Sequence, residues 1–130
     1  MLRLATILAA ILISGSVFAD APSQAIETVD GDTVRKGDVS YRLLGYDTPE
    51  TIFAECEAER RLGIKAKERL AELIDNAGEV ILIEQGRKRD HYGRGLARLI
   101  IDGRDVADVL VEEGYARRYD GRTRRRGWCN

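Results

Sequence analysis

Histidine is nearly absent from this sequence, which contains only His91 among its 130 residues. A zinc site built from several imidazoles is therefore excluded, as is a mechanism in which two histidines serve as acid and base. The chain also lacks a glycine-rich loop ending in Gly-Lys-Ser or Gly-Lys-Thr, which excludes the usual nucleoside triphosphate site. These absences narrow the chemistry that the chain can perform.

Long hydrophobic runs are lacking too, and the apolar stretch at residues 4–13 is shorter than the about 20 residues that span a bilayer. A basic residue precedes this stretch, and Val17 and Ala19 follow it at the positions where a signal peptidase requires small residues. We therefore predict a signal peptide at residues 1–19 and a secreted or periplasmic protein, with an uncleaved anchor as the alternative. Residues 20–130 then form one domain without a membrane segment.

Cysteine is scarce as well, since Cys56 and Cys129 are the only two in the chain. An even pair in an exported chain favours a disulfide, and two unpaired thiols are the alternative because export is itself inferred. The bridge would close a loop of about 70 residues and stabilise the fold by about 4 kcal/mol. Two cysteines and one distant histidine do not make a zinc site.

Neither sign of charge is in large excess, because 21 basic and 22 acidic residues leave a formal net charge of −1. The chain is therefore not globally basic in the way of many nucleic-acid binders. The basic residues are crowded near its end, at Arg117, Arg118, Arg122, Arg124, Arg125 and Arg126. This crowding indicates either an edge that attracts phosphates or a solvated tail, and composition does not decide between the two.

Three short clusters carry most of the remaining chemistry. They are Asp-Gly-Asp-Thr at 30–33, then Asp-Thr-Pro-Glu at 47–50, which follows Arg42, and Tyr-Gly-Arg-Gly at 92–95. Carboxylate and carbonyl oxygens are the ligands of hard cations such as calcium or magnesium. Arginine forks match the oxygens of a phosphate in a bidentate way. The combination predicts metal-assisted phosphodiester chemistry.

Periodicity predicts a mainly β domain with two helices. Short strands are expected in a meander that includes residues 25–29 and 39–44, and again at 80–83 and 95–101. An apolar stripe predicts a long helix over 56–76, and a shorter helix is expected over 106–113 after Asp105 as its N-cap. About five strands with a long helix after the third are compatible with an α+β fold of the small Greek-key OB barrel type, and periodicity alone also allows other α+β folds.

The clusters together resemble the thermonuclease family, the micrococcal or staphylococcal nuclease-like proteins. The resemblance rests on residues 29–34, 41–44, 46–51 and 90–97, which occur in the family's order, and it extends over nearly all of 25–116. It implies a five-stranded OB-type barrel and a calcium-dependent nuclease that hydrolyses phosphodiester bonds of DNA and RNA. A catalytically inactive OB-type nucleic-acid-binding module and a metal-stabilised interaction domain are the alternatives.

The resemblance also implies roles for individual residues. One calcium ion would be held by Asp32, Asp47 and the backbone carbonyl of Thr48, with Glu50 at the attacking water and Arg42 and Arg94 on the phosphate. Because arginine stays protonated, both arginines are expected to stabilise developing negative charge and not to act as acids. Whether Glu50 accepts a proton or only orients the water is left open.

Further residues have weaker expectations. Asp30 is expected to support its turn or to lie behind the metal ligands, and not to bind the metal itself. His91 and Tyr92 would contact nucleotide or lie in an exposed turn, and Tyr119 would stack on a base. The loop after Glu50 lacks the lysines of the best-known family member, which puts substrate affinity there in doubt. We expect a monomer with DNA and RNA substrates and no stable protein partner.

The end of the chain also departs from the family's pattern, because longer relatives continue into a further helix. A bridge between Cys56 and Cys129 would fasten this end to the start of the long helix. A covalent link would then replace the packing of the missing helix.

Overall fold

The computed structural model describes residues 25–86 and 89–129, so the predicted signal peptide lies outside the described residues. Eight strands and two helices follow one another along the chain. They are β1 (Ile26–Asp30), β2 (Thr33–Lys36), β3 (Val39–Leu43), β4 (Tyr46–Asp47), α1 (Glu57–Asp75), β5 (Val80–Glu84), β6 (Gly95–Ile101), β7 (Arg104–Asp105), α2 (Val106–Glu112) and β8 (Arg117–Arg118). Among these residues, no helix has both the length and the apolar character needed to cross a membrane.

The main sheet has the strand order β1-β2-β3-β6-β5, with β7 paired to β6. All neighbours in it are antiparallel except β3 and β6, which are parallel and pair Arg42 with Leu96. A parallel pair needs a crossover connection, and α1 lies within that crossover. The sheet curls into a half barrel, which confirms the predicted OB-type α+β fold.

Both helices lie where the sequence predicts them, to within one residue at each end. The two-residue strands β4, β7 and β8 are additions to the predicted set. Two residues are too few to show an alternating pattern, so such strands carry no periodic signal. One of these additions matters for function, because β4 pairs with β8 and joins Tyr46 to Arg118 across the molecule.

The core lies between the concave face of the sheet and the two helices. Fully buried side chains from strands and helices meet there, among them Leu43, Leu70, Leu99 and Leu110. Tyr46 is also fully buried, and its hydroxyl donates to the carbonyl oxygen of Gly31 at 2.7 Å. This bond ties the turn after β1 to β4. It therefore joins the first acidic motif, residues 30–33, to the residue directly before the second acidic motif, residues 47–50.

Two glycines let α1 and the turn after β1 lie directly against the second acidic motif. A Cβ added at Gly63 would stand 2.6 Å from the carbonyl oxygen of Glu50 and 2.8 Å from that of Pro49. A Cβ at Gly31 would stand 2.9 Å from the Thr48 side chain. Glycine lowers the helix propensity at position 63, and its presence there is explained by the close approach between helix and loop.

The predicted bridge between Cys56 and Cys129 is present, with 6.0 Å between the two Cα atoms. Cys56 is also the N-cap of α1, where its Sγ accepts from the amide of Glu59 at 3.4 Å. We call residues 117–129 the C-terminal strap. It begins as β8 and ends at the disulfide, so both of its ends are fastened to segments that flank the second acidic motif.

Candidate active site

Asp32 and Asp47 come from different parts of the barrel and face one guanidinium. Asp32 lies in the turn between β1 and β2, and Asp47 ends β4. Arg42 Nη2, on β3, lies 3.3 Å from Asp32 Oδ2 and 3.5 Å from Asp47 Oδ1. Both carboxylates are largely buried, with 13% and 7% of the side chain exposed. A buried carboxylate requires charged or hydrogen-bonding partners, and Arg42 supplies them.

Backbone carbonyls hold the Arg42 guanidinium in place. Nη2 donates to the carbonyl oxygen of Tyr46 at 3.0 Å, and Nη1 donates to those of Leu43 and Asp32. Only 12% of the Arg42 side chain is exposed. Arg42 is therefore not a solvent-exposed surface ion pair, and its fork is oriented before any ligand arrives.

Thr48 and Glu50 follow Asp47 directly. The Thr48 amide lies 3.4 Å from Asp32 Oδ2, and the residue is 3% exposed. Glu50 stands at the edge of the site with 35% of its side chain exposed. Asp30 accepts from Thr51 Oγ1 at 3.1 Å, in keeping with a role in supporting the turn. The two acidic motifs are therefore joined by hydrogen bonds.

Arg94 reaches this group through Thr33. Its Nη1 donates to Thr33 Oγ1 at 3.3 Å, and that hydroxyl donates to Asp32 Oδ1 at 3.2 Å. Its Nε donates to Asp90 Oδ2 at 2.7 Å. Burial by itself raises the pKa of Asp90, but hydrogen bonds from the Arg94 backbone and side chain outweigh it and lower that pKa below its ordinary value. Arg94 therefore stands at the rim, oriented by a carboxylate that stays ionised.

The three aromatic candidates for substrate contact lie around this rim. His91 and Tyr92 are exposed, with ring centroids 3.9 Å apart, and the Arg94 guanidinium lies 5.3 Å from the Tyr92 centroid. Tyr119 lies on the C-terminal strap, where its hydroxyl donates to the carbonyl oxygen of Thr123 at 3.0 Å. It lines a cleft that Asp47 also lines. The structure therefore separates Tyr119 from the other two.

Arg125 is a site residue that the sequence reasoning did not single out. Its Nη1 donates to Asp47 Oδ1 at 2.8 Å, and its Nη2 donates to Glu50 Oε1 at 3.0 Å. Burial by itself lowers the pKa of Arg125, but the charges of Asp47 and Glu50 outweigh it and raise that pKa above its ordinary value. Among six crowded arginines nothing local distinguishes Arg125. The sequence signal that could have found Arg125 was the cysteine pair. A bridge between Cys56 and Cys129 brings the residues just before Cys129 close to the loop after Glu50.

The donor set of this site suits a hard cation. Asp32 and Asp47 converge on one point, and all donors that they and the Thr48 carbonyl offer are oxygens. Within residues 25–86 and 89–129, no three His, Cys, Asp or Glu side chains group into a metal cluster. A bound ion would therefore need water to complete its shell, as calcium and magnesium readily accept.

Comparisons with known proteins show which proteins this chain is similar to. A family model described as "Staphylococcal nuclease homologue" matches residues 40–127. The "SPbeta prophage-derived endonuclease YokF" of Bacillus subtilis (strain 168) is 38% identical over 93 residues, which cover 68% of this chain and 31% of YokF. "Endonuclease YncB" of the same organism is 36% identical over 95 residues, which cover 68% of this chain and 44% of YncB. The chain thus spans less than half the length of either relative.

Proposed function

The chain belongs to the staphylococcal nuclease homologue family, and from that premise we propose that it is a calcium-dependent nuclease that hydrolyses phosphodiester bonds of DNA and RNA. The names of two relatives, both endonucleases, support hydrolysis of nucleic acid. The observation that carries the proposal is the convergence of Asp32 and Asp47 on the buried Arg42 guanidinium. This arrangement combines an oxygen-rich cation site with a phosphate clamp.

In this proposal Asp32, Asp47 and the carbonyl of Thr48 hold one calcium ion. A bound calcium ion supplies positive charge that polarises the phosphate and offsets the negative charge of the transition state. Both carboxylates are fixed in the free protein, so little conformational freedom is lost when they act as ligands. The metal dependence itself is part of the proposal.

Arg42 and Arg94 act on the phosphate oxygens. The Arg42 guanidinium is held by backbone carbonyls and Arg94 is held by Asp90, so both forks are oriented before substrate binds. Such preorganised donors stabilise charge that develops in the transition state without having to reorganise. Glu50 stands at the edge of the same surface, where it can orient the attacking water or accept a proton from it.

We also propose that the protein is exported and acts as a monomer. Export is supported by the pattern of residues 1–19 and by the disulfide, since such bonds persist mainly in oxidising compartments. A binding module without catalysis is the competing function. Such a module has no need of the cation site, of Glu50 or of both arginines, and this chain has them all.

The test uses purified protein with single-stranded DNA, duplex DNA and RNA, each with calcium, magnesium or excess chelator. We expect cleavage only with a divalent ion, and full activity in excess chelator would overturn the proposal. Asp32→Ala and Asp47→Ala should each sharply weaken calcium binding in a calorimetric titration, because each removes an anionic ligand. Asp38→Ala, at an exposed turn, is the matched control and should bind calcium normally.

Glu50→Gln separates the water-directing role from the metal-binding role. The change keeps the shape of the side chain but removes its charge and its ability to accept a proton. We expect turnover to fall while calcium affinity is largely kept. A loss of calcium affinity as large as that of Asp47→Ala would instead make Glu50 a direct ligand.

A further inference from the structure

The C-terminal strap is held in one place although most of its side chains are exposed. At its start, Arg117 pairs with Asp47 in the β4–β8 ladder, and at its end Cys129 is bonded to Cys56. The Arg117 guanidinium lies 3.7 Å from the ring centroid of Trp128 and donates to the carbonyl oxygen of Gly127 at 2.8 Å. The strap therefore closes on itself as well as on the barrel.

The acidic residue of the strap is used to shape its turn. Asp120 Oδ1 accepts from the amides of Arg122 and Thr123 at 2.9 and 3.0 Å, and from Thr123 Oγ1 at 3.0 Å. Hydrogen bonds from the Thr123 and Arg122 amides lower the pKa of Asp120 below its ordinary value. The carboxylate thus orders the backbone, and it forms no ion pair with the strap's arginines within the described residues.

Apart from Arg117, the arginines of the strap divide into two groups. Arg118 pairs with Asp108, and Arg125 pairs with Asp47 and Glu50. The second group, Arg122, Arg124 and Arg126, is exposed and forms no salt bridge within the part of the chain that the structure describes. Exposed guanidiniums held together on an ordered backbone repel one another, and an anion that bridges them relieves the repulsion.

A cleft joins two of these arginines, Arg124 and Arg126, to the candidate active site. It has a volume of ≈ 230 Å³ and is lined by Arg124, Arg125, Arg126 and Tyr119 on the strap and by Asp47 on the barrel. Because Asp47 lines the cleft and also takes part in the cation site, a chain bound in the cleft would continue directly into the reaction centre.

We propose that the C-terminal strap is a phosphate-binding subsite for the nucleic-acid strand next to the cleaved bond. Arg124 and Arg126 contact backbone phosphates, and Arg125 connects the subsite to the centre. This inference rests on the proposed function for the identity of the polyanion. A nucleic-acid strand is favoured over an anionic membrane because the arginines border a cleft that opens on Asp47 and do not form a flat surface.

The test measures binding without cleavage. A fluorescein-labelled single-stranded oligonucleotide is titrated in excess chelator over a range of salt concentrations, with anisotropy as the readout. The double variant Arg124→Gln/Arg126→Gln should flatten the dependence of log K on log salt by about 1.4, and should weaken binding about tenfold near 0.1 M salt. Arg124→Lys/Arg126→Lys keeps the charge and should restore most of the slope.

The matched control is Arg35→Gln/Arg104→Gln, which removes the same charge from two exposed arginines outside the strap, each paired with a glutamate. Its salt slope should stay near that of the unchanged protein. An equal flattening in both double variants would show general charge attraction and overturn the subsite, as would an unchanged slope in the strap variant. The subsite would also be overturned if the unchanged protein bound vesicles containing phosphatidylserine more tightly than the oligonucleotide and the strap variant lost this vesicle binding.

The two proposals can fail separately. Loss of oligonucleotide binding in the strap variant without any metal-dependent cleavage by the unchanged protein would contradict the nuclease and support the subsite. Metal-dependent cleavage together with unaltered binding in the strap variant would support the nuclease and contradict the subsite. Thermal unfolding of each variant checks that the fold is kept, and all four substituted positions are exposed.

Discussion

Arg42 and Arg125 approach the same oxygen atom from two differently built parts of the molecule. Arg42 Nη2 lies 3.5 Å from Asp47 Oδ1, and Arg125 Nη1 lies 2.8 Å from it. Arg42 is 12% exposed and is also held by backbone carbonyls of the barrel. Arg125 is 45% exposed, and its hydrogen bonds within the described residues go to carboxylates alone.

This difference separates a fixed guanidinium from an exchangeable one. Removing Arg42 would leave the buried Asp32 carboxylate without its charged partner, which is costly. Partly exposed ion pairs such as those of Arg125 are each worth less than about 1 kcal/mol. We therefore expect a bound cation or phosphate to displace Arg125 and to leave Arg42 in place. We expect the barrel side of the site to keep its geometry when a ligand binds, and the ion pairs on the strap side to rearrange.

The largest expected effect comes from cutting the covalent link of the strap. Cys56→Ser/Cys129→Ser should lower the free energy of unfolding by about 4 kcal/mol, because the bridge closes a long loop of the unfolded chain. The residues it joins are 73 positions apart. Serine keeps an N-cap acceptor at the start of α1, so the helix end is conserved. Denaturant unfolding measures the change.

Reduction of the unchanged protein is the control for this variant. It removes the bond and leaves both side chains, and it should give a similar loss of stability. A loss below about 1 kcal/mol in both cases would show that the strap is ordered without its link. That result would remove the contrast between the two sides of the site.

The next largest effect is expected at Arg42 and Arg94, the two arginines assigned to the phosphate. Arg42→Lys and Arg94→Lys keep the charge but lose the planar fork, so each should lower kcat by about 10² to 10³. KM should change less, because the interaction strengthens as charge develops on the phosphate. Steady-state kinetics measures both constants, and thermal unfolding confirms the fold. A raised KM with unchanged kcat at either position would make that arginine a binding residue only.

A smaller effect is expected where the helix supports the barrel side. Gly63→Ala should destabilise the fold by about 1–3 kcal/mol, because the added methyl overlaps the backbone of the Glu50 loop. Helix propensity alone predicts a gain of about 1 kcal/mol, so the sign of the change is diagnostic. Lys65→Ala, on the exposed face of α1, is the control and should change stability little. A stabilised Gly63→Ala protein would refute the close approach.

The smallest effect is expected at the exchangeable arginine. Arg125→Gln should raise calcium affinity by up to about fivefold, because a cation no longer has to displace a guanidinium from Asp47. Calorimetric titration measures this directly, and Arg124→Gln is the control because Arg124 has no carboxylate partner within the described residues. Weaker calcium binding in Arg125→Gln would show that the strap arranges the ligands instead of competing with the ion.

The barrel side of the site was largely predictable from short motifs. Asp32, Arg42 and Asp47 each occur in a recognisable local pattern, and the structure brings both carboxylates to one nitrogen of the Arg42 guanidinium, at 3.3 and 3.5 Å. The long helix was equally predictable, because an apolar stripe over five turns is a strong periodic signal. Neighbouring residues along the chain were enough for these inferences.

The strap was predictable only in outline. The cysteine pair indicated a bridge, and the arginine crowding indicated a basic edge or tail. Which arginine would meet the acidic motif depended on the pairing of β8 with β4, and two-residue strands carry no pattern of their own.

The sequence by itself therefore determined the residue types of the site and the two helices, and it indicated the covalent link that the structure contains. The tertiary structure alone decided that Gly63 admits the helix to the Glu50 loop and that Arg125 reaches Asp47 and Glu50. The physical reason is range. Periodicity and motif spacing record interactions between residues near one another in the chain. The contacts of Gly63 and Arg125 arise only when the folded barrel and the loop closed by the disulfide bring distant segments together.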